Sequence, residues 1–126
     1  MYLNQVTIPV TDVEQSIRFY EKLGLRLIVR ALPEYARFEC PGGSTFSLHR
    51  VNTMPEGESA WIYFEDNTLD DTVQQLLQQG MIFETMPADM PWLWREARLK
   101  DPDGNQLILY YAGENRLNPP WRIKTV

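Results

Sequence analysis

The chain repeats itself. An offset of 56 residues carries Val6-Thr7-Ile8, the stretch Asp12 to Tyr20 and Leu23-Gly24 onto Ile62-Tyr63-Phe64, Thr68 to Leu76 and Gln79-Gly80 without a gap. Each copy reads as an apolar strand, a polar break and a helix closed by glycine. Further on, Ala36-Arg37-Phe38-Glu39-Cys40-Pro41-Gly42-Gly43 matches Ala97-Arg98-Leu99-Lys100-Asp101-Pro102-Asp103-Gly104 at an offset of 97 − 36 = 61, and another apolar strand follows each. A duplicated unit predicts a pseudo-twofold cup in which equivalent residues face each other.

Periodicity supplies the elements. Leu3, Val6, Ile8 and Val10 alternate as in a strand, and Thr11 with Glu14 forms the pattern of a capping box for a helix along Val13, Ile17, Tyr20 and Leu23. Gly24 ends that helix, and strands are expected over Leu25 to Arg30, Tyr35 to Cys40 and Thr45 to Val51. Asn52 to Ser59, with Pro55 and Gly57, reads as a linker. The order then recurs: a strand from Ala60 to Glu65, a helix from Thr68 to Gln79 with Leu69, Val73, Leu76 and Leu77 on one face, and strands near Met81 to Thr85, Leu93 to Lys100 and Gln106 to Tyr111. Pro87, Met90 and Pro91 make a longer loop than the first copy has. The expected fold is α+β: a single domain, 1–126, of two tandem strand-helix-three-strand (βαβββ) units, 1–51 and 60–112, joined by linker 52–59 and ending in a tail, 113–126. Together the units are expected to form a curved sheet with a concave cup.

At 126 residues and 44% hydrophobic, the chain is long enough to bury a core of its own. A net charge of −5, with no clustered Lys/Arg surface, argues against nucleic acid as a partner. Cys40 is the only cysteine, so no intrachain disulfide is possible, and burial habit assigns it a structural role. Residues 1–10 carry no basic region ahead of an apolar run, and no stretch has the length of a membrane span. A cytoplasmic protein without a membrane partner is expected.

Alternation along the strands sorts the faces. Val6, Ile8, Phe38, Phe46, Leu48, Ile62, Phe64, Leu99, Leu107 and Leu109 belong against the helices. Their neighbours Gln5, Thr7, Arg37, Glu39, Ser47, His49, Trp61, Tyr63, Trp94, Glu96, Arg98, Ile108 and Tyr110 then face the other way, with Trp92 beside them. This second face mixes aromatic and charged groups.

The tandem βαβββ order, with Thr11-Asp12 opening the first helix, Phe19-Tyr20 inside it and Asp101-Pro102-Asp103-Gly104-Asn105 before the last strand, resembles the vicinal oxygen chelate superfamily. That superfamily contains glyoxalase I, ring-cleaving dioxygenases and the bleomycin- and fosfomycin-resistance proteins, and the resemblance covers residues 2 to 112. It implies ligand positions for a metal on the first and last strand of each unit, here Gln5 and Ser47, then Trp61 and Ile108. Trp and Ile offer no lone pair to a metal, and Ser is a poor partner for a divalent ion without carboxylates beside it. A two-His, one-carboxylate iron site is impossible with His49 as the only histidine. No metal and no cofactor are therefore expected, and glyoxalase or dioxygenase activity is not expected. The resemblance also implies a homodimer.

Function then rests on the cup itself. Gln5, Arg37, Ser47, His49, Trp61, Tyr63, Trp92, Trp94, Glu96, Arg98, Ile108 and Tyr110 are the expected ligand-binding residues, the aromatics clamping a planar group and the charges orienting polar ends. The expectation is a metal-independent, resistance-type protein binding a small aromatic or cationic molecule. Its alternative is a lyase, isomerase or dioxygenase of the same superfamily, with Glu96 or Glu39 as a buried general base or with a displaced metal gathered by His49, Glu39 or Glu96. A third reading plugs the cup with Trp121, on a tail held extended by Pro119-Pro120. For Arg98 two roles are open: anchor of a ligand, or partner of Glu96 or Glu39 in an internal pair.

Overall fold

The computed structural model describes residues 1–124. It is an α+β fold of tandem βαβββ units, each an open four-stranded sheet with a helix packed on one face.

The first unit comprises Met1–Ser59 and the turn Asp101–Asn105. It contains β1 (Gln5–Val10), α1 (Val13–Lys22), β2 (Arg26–Ala31), β3 (Tyr35–Glu39) and β4 (Thr45–Arg50), in sheet order β1-β4-β3-β2 with β1 parallel to β4. Alternation puts Ile8, Phe38, Phe46 and Leu48 on the face that α1 covers with Val13, Ile17 and Tyr20, all buried. The Tyr20 ring lies 4.9 Å from that of Phe46 and 6.0 Å from that of Phe38. Burial of each large apolar side chain there is worth roughly 1.5–3 kcal/mol.

The helix start differs from expectation. Asp12 rather than Thr11 is the cap, its carboxylate accepting from the Gln15 amide at 3.1 Å. A carboxylate caps a helix at least as well as a hydroxyl and also meets the positive end of the dipole, so the start moves one residue on. Thr11 turns elsewhere and donates its amide (3.0 Å) and its hydroxyl to the Asp103 carboxylate, while Glu14 pairs with Arg30 at 3.3 Å.

The Asp101–Asn105 turn is organised by one carboxylate. Asp101 is buried and accepts from the Tyr20 hydroxyl at 2.7 Å, from the Asp103 amide at 3.0 Å, and from the amide and side chain of Asn105, each at 2.9 Å. Gly104, at φ 86, lets the chain reverse there. Burial, with the Asp101 charge and hydrogen bond added, pushes the Tyr20 phenol well above the usual tyrosine range, so it stays a donor.

The second unit runs through Ala60–Lys100 and resumes at Gln106. It contains β5 (Ile62–Glu65), α2 (Leu69–Gln78), β6 (Thr85–Asp89), β7 (Arg95–Lys100), β8 (Gln106–Tyr111) and a single 3-10 turn, Gly113–Arg116, in sheet order β5-β8-β7-β6. Leu69, Val73 and Leu76 of α2 are buried, as are Leu99, Leu107 and Leu109 of the sheet.

One strand lies elsewhere than expected. Met81 to Thr85 is not a strand; β6 is Thr85–Asp89, inside the segment expected to be loop. Both helices end in the same hydrogen-bonded closure, Leu25 to the Tyr20 carbonyl (3.2 Å) in one unit and Met81 to the Leu76 carbonyl (3.0 Å) in the other, past glycines at φ 98 and 87. Met81 is thus a buried apolar stop on α2, and Ile82 beyond it is 85% exposed. Pro87 is tolerated because β6 is an edge strand with a register shift between Thr85 and Ala88. The hairpin to β7 closes through Met90 N to Trp94 O at 2.8 Å, so β7 starts at Arg95 rather than Leu93. The remaining strand and helix ends fall within two residues of expectation. Among the described residues no helix is long and apolar enough to cross a membrane.

Candidate functional site

On the sheet face opposite α2, the second unit gathers Trp61, Tyr63, Glu96, Arg98, Ile108 and Tyr110, as alternation requires of β5, β7 and β8. Glu96 sits on the inner strand β7, between Ala88 of β6 and Tyr110 of β8, and is 1% exposed. Its Oε2 accepts from Trp92 Nε1 at 2.6 Å. Its buried Oε1 has no hydrogen-bond partner among the described residues. The closest cation, Arg98 Nη2, stands 4.0 Å from that oxygen, too far for a hydrogen bond, and the guanidinium lies over the Trp61 ring at 4.8 Å.

Beside this pair stands an aromatic wall. The Trp94 and Tyr110 rings stack at 4.6 Å and 21°, and Tyr63 meets both edge-on at 5.9 and 5.6 Å. Trp94 donates to the Asn115 carbonyl at 3.3 Å, and Ile108, Tyr110 and Ala112 form the buried cluster it packs against. Each such ring pair adds about 0.5–1.5 kcal/mol beyond burial, so the wall is held before any ligand arrives. Burial and the Glu96 charge raise the Tyr63 phenol, with Arg98 opposing, so Tyr63 is a neutral hydroxyl at neutral pH. Trp61 (46%), Tyr63 (42%) and Trp92 (43%) remain accessible around the Glu96–Arg98 pair.

The corresponding face of the first unit is polar. Thr7 and Ser47 share a hydrogen bond between hydroxyls, Gln5 Oε1 accepts from Thr45 at 2.8 Å, and Arg37 Nε donates to the Tyr35 hydroxyl at 2.8 Å. Ser47 is buried, whereas His49 and Glu39 are exposed. Glu39 is therefore not the buried general base considered from sequence. Tyr35 is the residue that sequence reasoning passed over. Two signals mark it: it shares the parity of Arg37 on β3, and the 61-residue offset makes it the equivalent of Glu96.

Partial burial acts to raise the Tyr35 phenol, but hydrogen bonds from Ser47 and Arg37 and the Arg37 charge outweigh it and lower it below the ordinary tyrosine value. One tyrosine should accordingly ionise ahead of the others in an alkaline titration followed by phenolate absorbance. Tyr35→Phe should remove that step, and Arg37→Met should move it upward; a titration unchanged by either substitution would refute the assignment. The linked stability is present above the ordinary tyrosine pKa and is lost as pH falls through the lowered one.

The metal positions implied by family resemblance hold Gln5 and Ser47 in one unit, both engaged with neighbouring hydroxyls, and Trp61 and Ile108 in the other. This donor set does not fit a divalent ion. No group of three or more His, Cys, Asp or Glu side chains among the described residues is placed to hold a metal. Trp121 is 57% exposed. An open cavity of about 340 Å³ lies at the start of α2 between Asn67–Asp71, Arg95 and Tyr111. Its one cation, Arg95, is already engaged by Asp70 at 2.8 Å and Asp89 at 3.1 Å, which leaves no free positive charge for a ligand.

Comparison with known proteins agrees with the fold. A glyoxalase/bleomycin resistance protein/dioxygenase from Nocardioides is 25% identical, with 98% of this chain and 90% of that one covered and a TM-score of 0.78. A superfamily member from Sphaerobacter thermophilus is also 25% identical, covering 88% and 97%, at a TM-score of 0.71. TioX from Micromonospora, at 16% identity, covers 89% and 99% with a TM-score of 0.72 and is similar in fold. No curated protein matches the chain. The family model of the Glyoxalase/Bleomycin resistance protein/Dioxygenase superfamily matches residues 2–109, and the chain belongs to that superfamily.

Proposed function

We propose that the protein is a metal-independent binding protein for a small aromatic molecule, held on the open face of the second unit. One observation carries this reading: Trp61, Tyr63 and Trp92 stand half-exposed around a nearly inaccessible carboxylate, beside a wall of stacked rings. An apolar, preformed surface with a few convergent polar groups is how small-molecule sites are built. Of the two ligand classes expected from sequence, aromatic and cationic, the aromatic one is favoured because Arg98 already balances the Glu96 charge.

Titration with planar bicyclic compounds should quench tryptophan emission, and Trp61→Ala or Trp92→Ala should weaken binding by about tenfold, the order expected for loss of one aromatic contact with its area. Emission unchanged across such a panel at millimolar concentration would remove the proposal.

A second reading is favoured by the same carboxylate. Glu96 Oε1 is buried and accepts no hydrogen bond among the described residues, which suits it to take a proton from a substrate, and Arg98, 4.0 Å away, supplies donors for a developing oxyanion. Solvent deuterium entering a bound carbonyl compound next to its carbonyl, and failing to enter with Glu96→Gln, would establish turnover; no incorporation with the wild-type protein would restrict the site to binding.

A further inference from the structure

Resting on that aromatic-ligand reading, we infer that the ligand presents a hydrogen-bond donor beside an acceptor on one edge of its flat ring system, as a carboxamide or lactam does. The acceptor meets Arg98, and the donor reaches Glu96 Oε1 as the ligand displaces the side chains that keep that oxygen from solvent in the free protein.

Glu96 has two oxygens in different circumstances. Oε2 is taken by Trp92 Nε1, whereas Oε1 is buried and accepts no hydrogen bond among the described residues. A carboxylate oxygen in that position needs a donor, and leaving it without one is unfavourable. Arg98 carries the opposite lack. Its guanidinium rests on Trp61, its side chain makes no hydrogen bond among the described residues, and its N–H groups require acceptors. The other charges of this face are already engaged, Glu65 by the amides of Ala112 and Gly113 and by Arg116, and Lys100 by Glu84. Among the described residues of this face, only the Glu96–Arg98 pair offers one unused acceptor and unused donors side by side, flanked by Trp61 and Tyr63.

Charge decides the class. An ammonium or amidinium attracted to Glu96 is opposed by Arg98 from about the same distance, and a carboxylate attracted to Arg98 is opposed by Glu96. A neutral edge with adjacent N–H and C=O satisfies both without net repulsion. Specificity then comes from unpaired groups on the protein, which reject analogues lacking either function.

Three probes with one ring system separate the possibilities: naphthalene-2-carboxamide, naphthalene-2-carboxylate and naphthalene-2-carboxamidine, titrated calorimetrically. The wild-type protein should bind the carboxamide about tenfold or more tightly than either charged probe, the discrimination expected from one or two charge-assisted hydrogen bonds. Glu96→Gln should shift the preference to the carboxylate, because Arg98 is then unopposed. Arg98→Gln should shift it to the amidine. Should Arg98→Gln fail to fold, the Glu96→Gln series alone decides. Equal affinities for the three probes would overturn this inference while sustaining the aromatic reading, since stacking alone would then bind. A charged probe preferred by the wild-type protein, or a rank order untouched by substitution, would overturn it as well. If none of the probes binds, both readings fall.

Discussion

A protein carrying Asp101→Ala is expected to lose about 3–5 kcal/mol of stability, the range for removing one side of a buried, charged hydrogen-bonded network. The reason is local. A single carboxylate receives the Tyr20 hydroxyl, the amides of Asp103 and Asn105, and the Asn105 side chain, and truncation leaves these donors without an acceptor in an interior closed to solvent. Tyr20→Phe removes one donor and keeps the ring against Phe38 and Phe46, so it should cost only about 1–2 kcal/mol. Urea unfolding of both variants checks the pair. A loss below about 1 kcal/mol for Asp101→Ala would show that the turn is held by its backbone and not by this side chain.

Arg98→Met is the second large expectation. The substitution strands the Glu96 carboxylate, which would cost about 3–5 kcal/mol in a tight buried pair; at 4.0 Å, with Arg98 about a third exposed, solvent screening reduces the expectation to about 1–3 kcal/mol. Glu96→Met should cost no more than about 1 kcal/mol, because the unpartnered buried oxygen it removes offsets the lost Trp92 hydrogen bond, whose half-exposed donor can turn to water. The double variant should then resemble Glu96→Met alone, and the cycle isolates the coupling. If Arg98→Met melts like the wild-type protein while aromatic ligands bind less tightly, the pair carries no stability and Arg98 serves the ligand alone. Both roles left open by the sequence are thereby separated in one set of proteins.

What could be read in advance depended on the range of the interaction. The repeat is legible because its two copies align residue by residue, the two helices and the faces of the strands follow from periodicities within a dozen residues, and Phe38, Phe46, Leu48, Leu99, Leu107 and Leu109 are buried where alternation puts them. Short apolar runs were ambiguous. Met81-Ile82-Phe83 has a strand's composition, yet its first residue seals a helix end, a role set by a hydrogen bond to Leu76 that composition does not reveal. The Thr11–Glu14 pattern similarly promised a cap that Asp12 supplies, because the competing partner of Thr11 is Asp103, 92 residues away.

The sequence by itself determined the duplicated βαβββ order, the aromatic and charged content of the open faces, and the poor metal chemistry of Gln5, Ser47, Trp61 and Ile108, since residue type and spacing are properties of the chain. It could not rank Glu96 above Glu39, or bring Tyr35 into view. Only the tertiary structure decided that one carboxylate is buried between neighbouring strands with an oxygen left over, while the other is exposed, and that Asp101 gathers donors from residues as distant as Tyr20. Desolvation and hydrogen-bond satisfaction depend on every neighbour a group acquires when the sheet closes around it, and those neighbours come from parts of the chain that no local pattern connects.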